Sequence, residues 1–199
     1  MSKEFWDESF SQEGYVYGKD ANQFVQEHSS RLPKNSHIGC FAEGEGRNGV
    51  YLAKLGHHVT ILDQSEAGLN KSRELADEVG VQVESVQCDL TTEKIQPNQF
   101  DAAVMVFGHV PKQYQPFLIE QMLQSVKPGG VILLEVYSEE QLSYGTGGPP
   151  AKEMLYAPED VLSWIKPYKC LHFFYGEAER NEGERHNGLG HVIQVMVQK

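Results

Sequence analysis

The feature that most constrains this chain is a repeated switch of hydrophobic period between Ile38 and Tyr137. Ile38 to Ala42 is a short apolar run that ends at a glycine cluster. Arg47 to Leu55 then turns helical, with Val50, Ala53 and Leu55 apolar and Gly56 placed to stop it. His58 to Leu62 is β-branched and apolar, which predicts a buried strand. Ser65 opens a helix that carries Leu69, Leu75, Ala76 and Val79 as far as Gly80. The switch then repeats. Val81 to Val86 and Asp101 to Phe107 read as strands, and Tyr114, Phe117, Leu118 and Met122 line a helix with Pro116 in its first turn. Lys127 to Gly130 reads as a turn before Val131 to Tyr137, another buried strand. Strands this apolar, alternating with helices, predict an α/β chain with a doubly wound, mostly parallel sheet and helices on both faces.

The flanks break the alternation. Ahead of Ile38 lie an aromatic-rich start (Phe5, Trp6, Phe10, Tyr15, Tyr17) and one helical stretch, Ala21 to Arg31. After Tyr137 come a glycine-rich loop, Tyr144 to Pro150, and a helix from Pro158 to Trp164. Two strand-like runs follow, Lys169 to Tyr175 and Gly190 to Val197, which predict an antiparallel pair. Between them the polar stretch Glu177 to Asn187, with Glu184 in it, reads as a connection. These irregular segments are the expected cover of any site on the rigid frame. With 199 residues and no linker, the sequence predicts one domain.

Charge narrows the partners. A formal charge of −11 and a pI near 5.1 oppose a broad phosphate-binding face, so neither nucleic acid nor an anionic membrane is expected. Cys40, Cys88 and Cys170 are scattered and unpaired in spacing, no apolar run is membrane-length, and the start has no signal-peptide pattern. A cytoplasmic protein acting on a small ligand is the expectation.

Gly44-Glu45-Gly46-Arg47-Asn48-Gly49 fits a GxGxxG pattern between a predicted strand and a predicted helix. Glycines there permit a tight turn, and a helix start offers free N–H groups to an anionic ligand end. Asp63 stands at the end of the second strand, where an acid accepts ribose hydroxyls. Together they point to a nucleotide-like cofactor, a dinucleotide among them. Against a dinucleotide, the chain is short for a hydride-transfer enzyme. Cys88-Asp89-Leu90 also closes the third strand with an acid suited to an adenine amino group.

The segments Glu43 to Asn48, Val59 to Ser65, Asp89-Leu90, Phe100-Asp101 and Leu123 to Gly130 resemble the class I methyltransferases that use S-adenosylmethionine. The wording Gly44-Glu45-Gly46-Arg47-Asn48 is similar to their tellurite-resistance and thiopurine methyltransferase-like branch. The resemblance implies a Rossmann-like seven-stranded sheet with an antiparallel last strand, and S-adenosylmethionine as cofactor. It divides the chain into an N-terminal lid (1–37), a cofactor-binding core (38–137) and a loop, helix and hairpin (138–199). It places Glu43, Gly44 and Gly46 beside the methionine part, Asp63 at the ribose, and Gln64, Asp89 and Leu90 at the adenine. Phe107 then lies near the sulfonium. Two positions depart from the pattern: Cys40 stands where an acid is common, and Ala42 where the first loop glycine is usual. An alanine fits there if its φ stays negative.

On the acceptor side, Trp6, Tyr15 and Tyr17 with Gly18 are the aromatic candidates for a lid over the cationic sulfur. His109 is the candidate base or orienter, and Arg180, Arg185 and His186 the candidates to attract an anionic acceptor. His109, His186 and His191 lack metal-ligand spacing, so no metal is expected. The leading function is methyl transfer to a small soluble nucleophile such as a thiol or chalcogen oxyanion. The alternatives are an NAD-type oxidoreductase and a non-catalytic S-adenosylmethionine-binding module.

Overall fold

Central strands that are apolar on both faces need cover on both, and the computed structural model, which describes residues 2–183 and 185–199, supplies it. The elements in chain order are α1 (Lys3–Phe10), α2 (Gln23–His28), β1 (His37–Phe41), α3 (Arg47–Lys54), β2 (His58–Asp63), α4 (Glu66–Glu78), β3 (Glu84–Gln87), β4 (Phe100–Val106), α5 (Gln115–Ser125), β5 (Val126–Tyr137), α6 (Pro158–Ile165), β6 (Lys169–Glu182) and β7 (His186–Gln198). The strands form one sheet in the order β3-β2-β1-β4-β5-β7-β6. Strands β1 to β5 pair in parallel, and β7 runs antiparallel to both β5 and β6.

Side chains alternate between two cores, as a period of two requires. Phe41, Phe100, Ala103, Met105, Ile132 and Leu134 face α5 and α6. Ile38, Cys40, Ala102, Val104, Val131 and Leu133 face α2, α3 and α4. Cys40, in the position where the resemblance led one to expect an acid, is therefore core, and burial pushes its thiol far up.

Two expectations change. Residues 127–130 do not end a helix-to-strand turn; they bulge within β5, whose pairing with β4 jumps from Phe100↔Val126 to Ala102↔Val131. The polar stretch 177–187 is not a loop either. Strand β6 runs on to Glu182 and β7 starts at His186, with Asn181 paired to Asn187. The strand period is present there, but its inward positions are the buried Arg180 and Glu182. Glu184 lies outside the described residues.

Strand order reverses between β1 and β4, which opens a crevice at their carboxyl ends. Both strands leave it through a left-handed residue: Ala42 has φ +49° and Phe107 φ +54°. The condition under which an alanine fits without strain, a negative φ, is thus not met. A side chain in this region costs about 1–2 kcal/mol, partly offset in glycine by about 0.5–1 kcal/mol of lost chain freedom. Ala42→Gly is expected to raise the unfolding free energy by about 0.5–1 kcal/mol, and urea denaturation that showed a fall would contradict this strain.

Candidate active site

A cavity of about 840 Å³ runs along the carboxyl ends of β1, β2, β3 and β4. That is within the roughly 300–1,000 Å³ usual for small-ligand sites. Its floor near β2 is Asp63. One Asp63 oxygen, Oδ2, accepts the Gly44 N–H (2.8 Å) and the other, Oδ1, accepts the Ser65 N–H (2.8 Å). These bonds fix the carboxylate and leave each oxygen further acceptor capacity for a diol. Burial pushes its pKa up to about 6, against the hydrogen bonds from Ser65 and Gly44.

Gln64, Asp89 and Leu90 line the same end. Asp89 also begins a tight turn, accepting the Thr91 N–H (2.9 Å) and the Thr91 (2.6 Å) and Thr92 (3.1 Å) hydroxyls. Partial burial raises its pKa, but these donors outweigh it and hold the carboxyl below its ordinary value.

The glycine loop differs from the expected open anion site. Glu43 Oε1 accepts the N–H groups of Asn48 (2.7 Å) and Gly49 (2.8 Å), in the first turn of α3, and Oε2 accepts from Asn48 Nδ2 (3.2 Å). The chain's own carboxylate therefore caps this helix start, where a free ligand anion was expected. Burial shifts Glu43 upward, opposed by those same amides and by Arg47. Glu43 and Gly44 line the cavity; Gly46 does not. Gly46 lies behind the loop at φ +89°, where a Cβ would stand 2.4 Å from Ser72 Cβ.

Helix α1 covers the opening. Asp7 Oδ1 accepts from the Ser65 hydroxyl (2.7 Å) and the Ala67 N–H (3.2 Å), so α1 is fastened to the start of α4. Hydrogen bonds from Lys3 and Ser65 hold the Asp7 carboxyl at about 2. Phe10 seats on two glycines: a Cβ on Gly44 or Gly68 would come within 2.9 Å of its ring. Trp6 stacks on Phe10 with ring centroids 5.2 Å apart, and Trp6 and Tyr17 line the cavity. Tyr15 does not; it packs beside Val50, Leu75 and Ala76 beneath Lys19. Gly148, Pro149 and Pro150 of the glycine-rich loop do line the cavity.

The three catalytic candidates separate. His186 lines the cavity among Phe107, Tyr17 and Tyr137, with ring centroids at 4.4, 4.7 and 5.4 Å. Its Nδ1 is buried with no hydrogen-bond partner, and burial together with Arg47 pushes its pKa far down. His109 also lines the cavity, but Nδ1 donates to the Met154 carbonyl (2.8 Å) and Nε2 accepts the Tyr137 N–H (3.3 Å). Burial lowers its pKa to about 4, so it is a neutral, fully bonded ring that leaves no nitrogen for a substrate. Arg180 lies outside the cavity, its guanidinium paired with Glu135 through Nε (3.0 Å) and Nη2 (2.6 Å). Sequence reasoning missed Arg47, a buried cavity residue whose one signal was its place inside the glycine motif. No group of three or more His, Cys, Asp or Glu among the described residues is arranged to hold a metal ion.

Residues 38–130 match the family described as "Methyltransferase domain". Over 151 residues the chain is 29% identical to the "Probable S-adenosyl-L-methionine-dependent methyltransferase TehB" of Haemophilus influenzae, covering 75% of this chain and 49% of that protein. By these matches the chain resembles the class I S-adenosylmethionine-dependent methyltransferases, most directly over residues 38–130. It spans about half the length of the curated relatives it matches. In structure it is similar to TehB from Haemophilus influenzae (TM-score 0.74, 17% identity, 99% of this chain and 66% of that one). It is likewise similar to a methyltransferase from Aquifex aeolicus (TM-score 0.65, 15% identity, 100% and 98%).

The cavity fits S-adenosylmethionine better than a dinucleotide. A pyrophosphate at the start of α3 would meet the Glu43 carboxylate, whereas Asp63 presents the acceptors a ribose needs. Asp63 must be ionised to accept both hydroxyls. Affinity for the demethylated cofactor is therefore expected to be constant above pH 7. It should weaken by up to about tenfold per unit as pH falls below about 6, in calorimetric titrations across pH. Arg180→Ala, which strands a buried Glu135, is expected to cost about 3–5 kcal/mol in urea unfolding; a loss of activity at unchanged stability would instead return Arg180 to the chemistry.

Proposed function

We propose that this enzyme moves the methyl group of S-adenosylmethionine to a small soluble nucleophile that reaches the cavity as an anion, such as a thiolate or an oxyanion. The observation that carries this is the partial cover over the acceptor end. Gly183, at the turn of the β6–β7 hairpin, meets the backbone of residues 17–18 so closely that a Cβ would stand 2.5 Å from the Tyr17 carbonyl carbon. With α1 fastened to α4 beside it, the entrance suits a metabolite and opposes a folded polymer. The fall of sites along the sheet supports the division of labour. Asp63, Gln64 and Asp89 are at the β2–β3 side for the nucleoside, and Phe107, Tyr17 and His186 at the β4 and hairpin side for the reacting groups.

When bound, S-adenosylmethionine supplies an electrophilic methyl group on a sulfonium. The chain's part is alignment and exclusion of water, which together are worth up to about 7–11 kcal/mol in well-oriented reactions. Phe107, stacked on Tyr137 at 4.4 Å, and Tyr17 provide aromatic walls for a cationic centre. His186 Nδ1 is the unbonded polar atom among those walls. A ring held so far from protonation is a poor store for a proton, so it orients an acceptor that is already ionised. Arg185, exposed on the cavity rim and bonded to Ser9 Oγ at 2.9 Å, adds positive charge in an otherwise acidic protein. The three cysteines are free, which supports work in a reducing cytoplasm.

The test is transfer from methyl-labelled cofactor to a cell extract split by ultrafiltration into small molecules and macromolecules. Label is expected in the small-molecule fraction. His186→Ala should slow that transfer about 10- to 100-fold and leave cofactor affinity within twofold. Label confined to protein or RNA would overturn the reading.

A further inference from the structure

The helix start that commonly takes an anion is closed here, yet a cation with one unbonded nitrogen stands beside it. Arg47 occupies the first turn of α3, directly after the Gly44–Gly46 loop, and its side chain lines the cavity. Only 6% of the residue is exposed. Its Nη2 forms an ion pair with Glu182 Oε2 at 2.6 Å, without the alignment of a hydrogen bond, and Nη1 is buried with no hydrogen-bond partner. A buried guanidinium nitrogen left unbonded is costly. It is therefore the kind of group a ligand satisfies.

Glu182 is in turn held from behind. Its Oε1 accepts from Asn22 Nδ2 at 3.0 Å and lies 3.7 Å from Arg180 Nε. The guanidinium is thus fixed by a residue of the hairpin, although it belongs to the cofactor loop. Resting on the cofactor reading above, the formal negative charge of S-adenosylmethionine is the carboxylate of its amino-acid end. With the Asn48 and Gly49 amides already bonded to Glu43, that carboxylate needs another donor near the loop.

We propose that Arg47 Nη1 receives the cofactor's carboxylate, and that Glu182 is a positioning residue that holds the guanidinium in place for it. The chain has in effect exchanged roles at this loop: an acid caps the helix, and an arginine one turn along faces the ligand. The hairpin tip becomes part of the cofactor site through Glu182, without touching the cofactor itself.

The experiment compares two ligands by calorimetry on the full chain: the demethylated cofactor S-adenosylhomocysteine, and 5′-methylthioadenosine, which lacks the amino-acid end. The unmodified protein is expected to bind the first about 10- to 100-fold more tightly. In the double variant R47Q/E182Q, which leaves no orphaned charge from this pair, that advantage should fall at least about tenfold. Its 5′-methylthioadenosine affinity should stay within twofold, which also reports an intact fold. E182Q alone should lose part of the advantage, again only for the ligand with the carboxylate. Should the double variant misfold, R47K serves in its place, because a single ammonium nitrogen lacks the fixed spacing of Nη1 and Nη2 and should also lose part of the advantage. An advantage unchanged in the double variant, or in R47K, overturns the proposal while the cofactor reading stands. Failure of the unmodified chain to bind either compound overturns both.

Discussion

A buried network of five ionisable side chains holds the halves of this molecule in register. Glu43, Arg47, Glu135, Arg180 and Glu182 are each at most 8% exposed. Charges so far from water need partners; Arg47 faces Glu182 and Arg180 faces Glu135, with Arg47 Nη1 left unbonded. Asn22 is the junction. Its N–H reaches Asn48 Oδ1 (2.8 Å), and its Nδ2 bridges Glu135 Oε1 (2.9 Å) and Glu182 Oε1 (3.0 Å). Its Oδ1 caps α2 through the Val25 N–H (3.1 Å). Gln194 completes Glu135 from β7 at 2.6 Å. One amide side chain thus joins the N-terminal segment, the glycine loop, the middle of the sheet and the terminal hairpin. Shifting any of these would strand a charge, so the network selects one arrangement more than it adds net stability.

That arrangement makes the site. Because Glu182 and Arg180 are tied to the core, the hairpin turn lies over the carboxyl ends of the strands, where Gly183 meets residues 17–18. The roof, the aromatic walls and the loop are therefore set by one polar cluster beneath them. Opposite, α1 is fastened by Asp7 to the start of α4 and by Phe10 to the two glycines. Between these supports the rim of the crevice carries two left-handed residues, Ala42 and Phe107. Strain of this kind persists where the surroundings over-determine a conformation, and it clusters at functional sites.

The sequence exposes some of this and hides the rest for identifiable reasons. The sheet was legible because Ile38, Cys40, Val104 and Leu133 lie on strands apolar on both sides, which hydropathy reads directly. Asp63 was legible because it ends such a strand. The outer half of the hairpin was not, because its inward positions are Arg180 and Glu182, so a true period of two carries charge instead of hydrophobicity. The role of Arg180 followed the same error: a loop arginine would face solvent or ligand, whereas a strand arginine facing inward needs a buried acid. Glu43 lies in the loop as read, but its capping of α3 depends on a turn with left-handed Ala42, Gly44 and Gly46, which no hydrophobic period shows. Tyr15 and Tyr17 are two residues apart in an irregular segment, and no period tells which one faces the cavity.

The crevice suits a nucleoside with an amino-acid tail, and the chain's own Glu43 closes it to a pyrophosphate. Calorimetric titration of the full chain with S-adenosylhomocysteine and with NAD at neutral pH tests it most directly. Saturable binding of S-adenosylhomocysteine with one equivalent per chain, and none of NAD, is the predicted result. Tight binding of NAD would contradict the account, because it would require the Glu43 carboxylate to leave the helix start on which the loop is built.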